Sequence, residues 1–474
     1  MTAPTVNLTD HVIDGQRRQG TGERIDVSNP ATGEVIASIP AGTAEDVDDA
    51  VRAARKAFGT WSHVPVTERA AVVQRIAEGI MARRDEIAAT ISAEMGSPLS
   101  FATAVQASLP AATSAGVAAL AESFPWTEEI GNSLIVREPV GVVGAITPWN
   151  YPLHQIVAKV APALLAGNTV VLKPSEVAPL SAGILAEIVE QAGLPAGAFN
   201  IVHGTGDVVG EAISRHPDID MVSFTGSTAA GKKVSIGAAD SVKRVALELG
   251  GKSACVVLPD ADFAKAAKLG LGNGWINGGQ TCTAWTRMLV PADKQDEIVE
   301  LLRAAAAKYT VGDPTEASTR IGPMSSTAQQ EKVNGYLELG VTEGARVAFG
   351  GADTQLPSGG AYVAPTIFAD VTTEMRIAQE EIFGPVLSVM PYTDLDDAAE
   401  IANATVYGLA GGVFAADTES GVEFAKRMRT GQVDVNGGSF NPVAPFGGYG
   451  QSGNGRELGR FGLEEFCEVK SIQR

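Results

Sequence analysis

The chain has 474 residues, 45% of them hydrophobic and 19% charged, and a formal net charge of −19. That length exceeds one ordinary core and predicts two or three domains, and the acidic surface excludes nucleic acid and anionic membrane as natural partners. Three cysteines (Cys255, Cys282 and Cys467) cannot frame a disulfide scaffold, and five scattered histidines lack zinc spacing, so no metal is expected.

The opening MTAPTVNLTD has neither a basic nor an apolar leader region. The nearest approach to a membrane-length apolar run, residues 108–120, is interrupted by Pro110, Thr113 and Ser114, so no bilayer span is predicted and a cytoplasmic protein is expected. NPATGEVIASIP then gives a turn followed by alternating apolar positions, a hairpin signature. Thr43 and Asp46 form a capping-box start for a helix whose predicted apolar face is Val47, Val51, Ala54 and Phe58. Residues 67–95 read as one longer helix stopping before Gly96 and Pro98.

From about Val140 the rhythm becomes strand, helix, strand. VGVVGAIT is a short apolar run suited to a buried parallel strand, 152–166 a helix stopped by Gly167, and NTVVLKPSE a second strand. Helix 182–191, the strands FNIVHG, IDMVSF and KRVALEL and the helices between them continue the alternation, which predicts an α/β doubly wound, Rossmann-like sheet. A second α/β block begins near Gly251 with SACVVL, a helix from Phe263 and MLVP, and runs through the Gly-, Pro- and Thr-rich loop VGDPTEASTRIGP to about Asn436.

Strand-to-helix turns in such a sheet are where nucleotides bind. SFTGSTAAGKK turns from Phe224 through Thr225, Gly226 and Ser227 into a helix whose first N–H groups suit a pyrophosphate; its G-x-x-x-x-G spacing equally describes an ordinary capped helix. Gly204, Gly206 and Gly210 in VHGTGDVVG miss the dinucleotide spacing by one residue and read as a tight turn. Lys173 and Glu176, after VVL, are either ribose ligands or a surface salt bridge. Glu248 ends an apolar strand, where a carboxylate is either paired or a general base. Asn150 in TPWNYP is a turn residue or an oxyanion donor. Cys282, in GGQTCTAWTR, is a small core residue or, given its glycine and threonine neighbours, a thiol that a substrate can approach. A thiol, a carboxylate, an amide donor and a nucleotide site, each at a strand end or glycine turn, are together the parts of a thiol-mediated oxidation.

TPWNYP, LKPSE, FTGSTAAG, LELGGKS, GGQTCTAWTR, EEIFGPV and PFGGYGQSGNGRELG occur in an order and at separations that closely resemble the aldehyde dehydrogenase superfamily, over essentially the whole chain. The resemblance implies Cys282 as nucleophile, Glu248 as general base, and Asn150 with the Cys282 N–H as oxyanion hole. It implies NAD as cofactor, with NADP tolerated. The dinucleotide would lie on Ile146, Thr147, Trp149, Lys173, Glu176, Gly206, Phe224, Thr225, Gly226, Ser227 and Leu249, with Glu381 and Phe383 at its nicotinamide ribose. Tyr151, Gln155, Trp285 and Phe446 would wall an aldehyde tunnel, and Lys159 and Glu457 would support the site. Gly450 stands where the family usually has lysine, which alters the charge of that loop.

The resemblance further implies a dinucleotide-binding domain from residues 1–121 and 140–250, a catalytic domain from 251–450, and a β oligomerisation element from 122–139 and 451–474. A homodimer or homotetramer acting on a small-molecule aldehyde follows. Two rival functions remain: a cofactor-independent thiol esterase and a non-catalytic binding or structural protein on the same scaffold.

Overall fold

The structure is a computed structural model that describes residues 9–20 and 22–474. Residues 1–8, read above for a leader, lie outside the described part.

Five parallel strands form the centre of an eight-stranded sheet. Their spatial order is Phe199–Ile201, Thr169–Lys173, Val142–Ile146, Met221–Thr225, Arg244–Glu248. Along the chain these are the third, second, first, fourth and fifth, so the winding reverses between Val142–Ile146 and Met221–Thr225. A crevice opens at the carboxyl ends of strands at such a reversal. Ile146 and Thr225 stand there. Antiparallel edges close the sheet: His11–Ile13 with Gln16–Arg18 on one side, Gly453–Asn454 against Glu248 on the other.

A second sheet of seven strands runs Arg346–Phe349, Thr366–Ala369, Val386–Tyr392, Arg287–Pro291, Ala254–Val257, Ala410–Phe414, Gln432–Val435, parallel except for the first. The chain leaves the carboxyl end of the first sheet at Glu248 and enters the amino end of the second at Ala254 through residues 249–253. Those two ends therefore face one cleft. Thr127–Ile130, Ser133–Pro139 and Cys467–Gln473 make a separate antiparallel sheet, and Arg24–Ser28 with Val35–Pro40 the N-terminal hairpin.

Local structure follows the sequence in most places. Thr43 accepts from the Asp46 N–H and Asp46 returns the bond, so the capping box starts helix Ala44–Trp61. Its buried face is closed by Trp61, whose indole N–H donates to Leu164 O, while Phe58 is only half-buried. The single helix expected over 67–95 is two, Val66–Ala82 and Arg84–Met95. They break at Arg83, where the guanidinium bonds both Glu86 and the distant Glu187. Gly167 takes the left-handed conformation (φ 100°) that stops helix Pro152–Ala166.

The interruption expected within residues 108–120 does not occur. Leu99–Phe101, the π-helical Ala102–Gln106 and Ser108–Ser123 follow one another as a 25-residue helical run, long and apolar enough by length and composition to cross a bilayer. Pro110 is accommodated in the first turn of Ser108–Ser123, where its missing N–H costs little. In this fold the run packs on Val66–Ala82 and Pro152–Ala166, with Ala111, Val117 and Ala118 in the largest core cluster.

Candidate active site

The segment before Cys282 is shaped by backbone conformation. Asn277, Gly278 and Gly279 all lie at positive φ (52°, 66° and 74°). A Cβ on Gly279 would run into the Gly384 carbonyl, and one on Gly251 into the Cys282 carbonyl, so both glycines are required by close approach. The Gln280 side chain accepts from the Ser325 N–H at 2.9 Å, and Asn277 donates to the Asn150 carbonyl at 3.0 Å. This lattice fixes where the sulfur sits. Cys282 is half-buried and faces a cavity of about 430 Å³ that Tyr151, Gln155, Trp285, Phe446 and Glu457 also line.

Asn150 is buried, and its amide donates to the Gln280 carbonyl at 3.0 Å. An amide nitrogen carries two hydrogens, and this bond uses one of them. Tyr151 and Thr281 share a hydroxyl–hydroxyl bond of 2.9 Å at the tunnel wall. Burial pushes the Cys282 thiol far above its ordinary pKa, with the Glu381 and Glu248 carboxyls adding to the effect. This environment favours the protonated thiol over the thiolate.

Glu248 ends its strand inside the cleft, buried, with Oε2 lacking a protein partner. Burial, and next the Glu457 carboxylate, raise it well above the usual carboxylate range, while Lys159 and Arg456 oppose the shift. Lys159 and Glu457 form a buried ion pair. Glu457 also pairs with Phe446 through reciprocal backbone bonds of 2.8 and 2.7 Å.

The residues expected to bind a dinucleotide divide between two cavities beside the crevice. Ile146, Gly206 and Phe224 line one cavity of about 340 Å³ with Lys233 and Val234. The glycine stretch is not a tight turn: Gly206–Gly210 winds as a π-helical turn ahead of Glu211–Arg215. Ser227 caps helix Thr228–Ala239 by accepting from Ala230 N–H, and Leu249 packs on Gly231. Lys173 and Glu176 do form a salt bridge, at 2.6 Å, with the lysine buried and the carboxylate a third exposed. Glu176 lines a separate cavity, between residues 25–30 and 325–330. Glu381 accepts from the Gly251 N–H at 2.9 Å. Phe383 (φ 61°) sets its ring edge-on to Trp149, centroids 5.4 Å apart, which links the two sheets across the cleft.

Thr147 Oγ1 and Thr225 Oγ1 are buried at this crevice without protein partners. Orphaned hydroxyls beside a helix N-terminus, with Glu176 accessible nearby, fit a polar dinucleotide. Among the described residues no group of three or more His, Cys, Asp or Glu gathers as a metal site would need.

Sequence reasoning missed several tunnel residues: Val105, Leu109, His154, Phe440 and Asp434. Two carried a readable signal. His154 adjoins Gln155, and Phe440 lies in the same loop as Phe446 and meets it edge-on at 6.3 Å. Lys252 was also missed; its buried ammonium nitrogen has no partner, and burial, then Arg287, push its pKa down to about 7.

A doubly wound sheet whose switch point opens beside a tunnel-facing thiol defines a nucleotide-binding fold joined to a cysteine site. The chain belongs to the aldehyde dehydrogenase family, whose profile matches residues 17–472. It is 48% identical over 470 residues to a 3-succinoylsemialdehyde-pyridine dehydrogenase of a Pseudomonas species, covering 97% of each chain. Aldehyde dehydrogenase C of Pseudomonas syringae, solved as a cysteine-to-alanine mutant with NAD+ and octanal, superposes with a TM-score of 0.97 at 47% identity, covering 98% of this chain and 97% of that one. A Mycobacterium tuberculosis aldehyde dehydrogenase complexed with NAD+ gives 0.96 at 43% identity, with 98% of each chain covered.

Proposed function

We propose that the protein oxidises an aldehyde to its carboxylic acid with NAD, through a covalent intermediate on Cys282. The observation that carries this is the half-buried sulfur on the wall of the tunnel, with a spare Asn150 N–H at the same loop. Ile146, Gly206, Phe224 and the Thr225–Ser227 turn would hold the dinucleotide, Lys173 and Glu176 its adenosine ribose, and Glu381 and Phe383 its nicotinamide ribose. When bound, NAD supplies the hydride acceptor that makes the reaction an oxidation.

Cys282 loses its proton and attacks the carbonyl carbon. Asn150 and the Cys282 N–H donate to the oxyanion, a contribution of about 3–4 kcal/mol per donor. Burial and the Glu381 and Glu248 carboxyls oppose formation of the thiolate, so its proton leaves to solvent through the tunnel and Glu248 stays free for the later step. Glu248 then takes a proton from the water that hydrolyses the thioester. The high Glu248 pKa makes it a strong base once ionised, and Lys159 limits how far that pKa climbs.

Glu176 favours NAD, because its charge repels a 2′-phosphate. The reading also keeps the three-part division that the family resemblance implies. The exposed Val469 and Ile472 on the free edge of Cys467–Gln473 support pairing of subunits into a homodimer or homotetramer. Three free cysteines support a reducing, cytoplasmic setting.

The test is the Glu248→Gln variant with NAD and an aldehyde. A stoichiometric burst of reduced nicotinamide, with an acyl adduct on Cys282 by mass spectrometry and no turnover, is expected. Loss of the burst would move Glu248 to the thiol-activation step, and a burst in Cys282→Ala would overturn the mechanism. Ester cleavage that is indifferent to NAD, without aldehyde oxidation, would establish the esterase instead.

A further inference from the structure

We propose that the tunnel selects aldehydes whose tail bears a positive charge with an N–H, and that Asp434 is the residue that determines this specificity. The proposal rests on the aldehyde-oxidation reading and adds a substrate class to it.

The residues lining the tunnel include two carboxylates, Asp434 and Glu457, and neither lysine nor arginine. Glu457 already has its cation in Lys159. Asp434 has none: it accepts one bond, from Gln432 Nε2 at 3.0 Å, and no cation opposes its burial. A half-buried carboxylate with a single neutral partner retains most of its demand for positive charge.

Strand register places that carboxylate. Asp434 pairs with Gly412 in neighbouring parallel strands, so the two residues point to one face. The space a Cβ on Gly412 would take is filled by the Trp285 ring, with Cζ2 and Cη2 at 2.8 Å. The carboxylate therefore lies on the Trp285 side, in a tunnel that Tyr151, Phe440 and Phe446 also line. A cation there meets both an anion and aromatic faces.

A second observation is independent of Asp434. His154 Nδ1 and Gln155 Oε1 are buried and lack protein partners, yet both residues line the same tunnel. They are 9% and 7% exposed, so a ligand donor would complete them where bulk water does not. Burial pushes the His154 pKa down to about 4, which leaves the ring uncharged and unable to repel a cation. An aldehyde with a carboxylate tail meets the Asp434 carboxylate with no lysine or arginine on the tunnel wall, and is rejected.

The experiment measures kcat/KM by NAD reduction with three aldehydes of one skeleton. They are γ-dimethylaminobutanal (protonated at neutral pH), its uncharged isostere with CH in place of N–H, and glutaric semialdehyde. A short neutral aldehyde, propanal, serves as control. Wild-type protein is expected to prefer the cation over the isostere by about tenfold to a hundredfold, and to use the carboxylate least. Asp434→Asn is expected to bring the cation-to-isostere ratio near unity while leaving the isostere within about twofold. Equal use of the cation and its isostere by wild type, or an unchanged ratio in Asp434→Asn, overturns the inference alone. No NAD reduction with any of the four aldehydes overturns the oxidation reading, and this one with it.

Discussion

Replacing Asn150 by alanine should separate chemistry from stability. The amide's visible bond goes to the Gln280 carbonyl at 3.0 Å, but Asn277 Nδ2 also reaches that oxygen, at 3.4 Å. The carbonyl therefore keeps a donor, and the folded state loses only about 1 kcal/mol. The backbone carbonyl of residue 150, which accepts from Asn277, is untouched by the substitution. The oxyanion loses a donor worth about 3–4 kcal/mol, or roughly a hundred- to a thousandfold in the acylation rate. Single-turnover formation of reduced nicotinamide measures that loss, and thermal unfolding measures the first, expected within about 2 °C of wild type. Asn150→Asp, equal in size but lacking the donor, should fall at least as far. A loss below about tenfold, or one carried wholly by KM, would refute the assignment of the spare N–H to the oxyanion.

Glu94 is fully buried beneath the N-terminus of helix Leu180–Gln191, accepting from the Leu180 N–H at 2.7 Å, and burial pushes its pKa up to about 8. The unfolded chain ionises this group near the ordinary carboxylate value, so stability is lost as pH rises from there towards about 8, by about 1.4 kcal/mol per unit. Glu94→Gln should remove that slope in urea unfolding followed across pH, and parallel profiles for the two proteins would refute it. Gly279→Ala should cost about 3 kcal/mol or more, because strain at φ 74° adds to a clash with Gly384. Gly33→Ala, at φ 77° with open space around the new methyl, should cost only about 1–2 kcal/mol. Equal costs for the two glycines in denaturant unfolding would show that the clash does not matter.

What the sequence made legible was largely local. The alternation of short apolar runs with capped helices pointed to a doubly wound sheet, and Gly167, Thr43 and Ser227 end or begin helices for reasons contained within a few residues. The break at Arg83 was invisible because it is held by Glu187, about a hundred residues away, rather than by a glycine or proline. The choice of Trp61 over Phe58 depended likewise on the Leu164 carbonyl. Cys282, Glu248 and Asn150 stood out through their short-range settings. Asp434 did not, since its meaning comes from its register with Gly412 and from the ring of Trp285, which no spacing along the chain reveals.

The bridge between Phe446 and Glu457 ties substrate choice to base strength. One short loop supplies an aromatic wall and the carboxylate that raises Glu248, and that carboxylate itself borders the tunnel. In the proposed mechanism, a substrate's charge would act on Glu248 along with that of Glu457. Under that reading, remodelling this loop to admit a new aldehyde would also change the strength of the base, so scope and turnover would shift together.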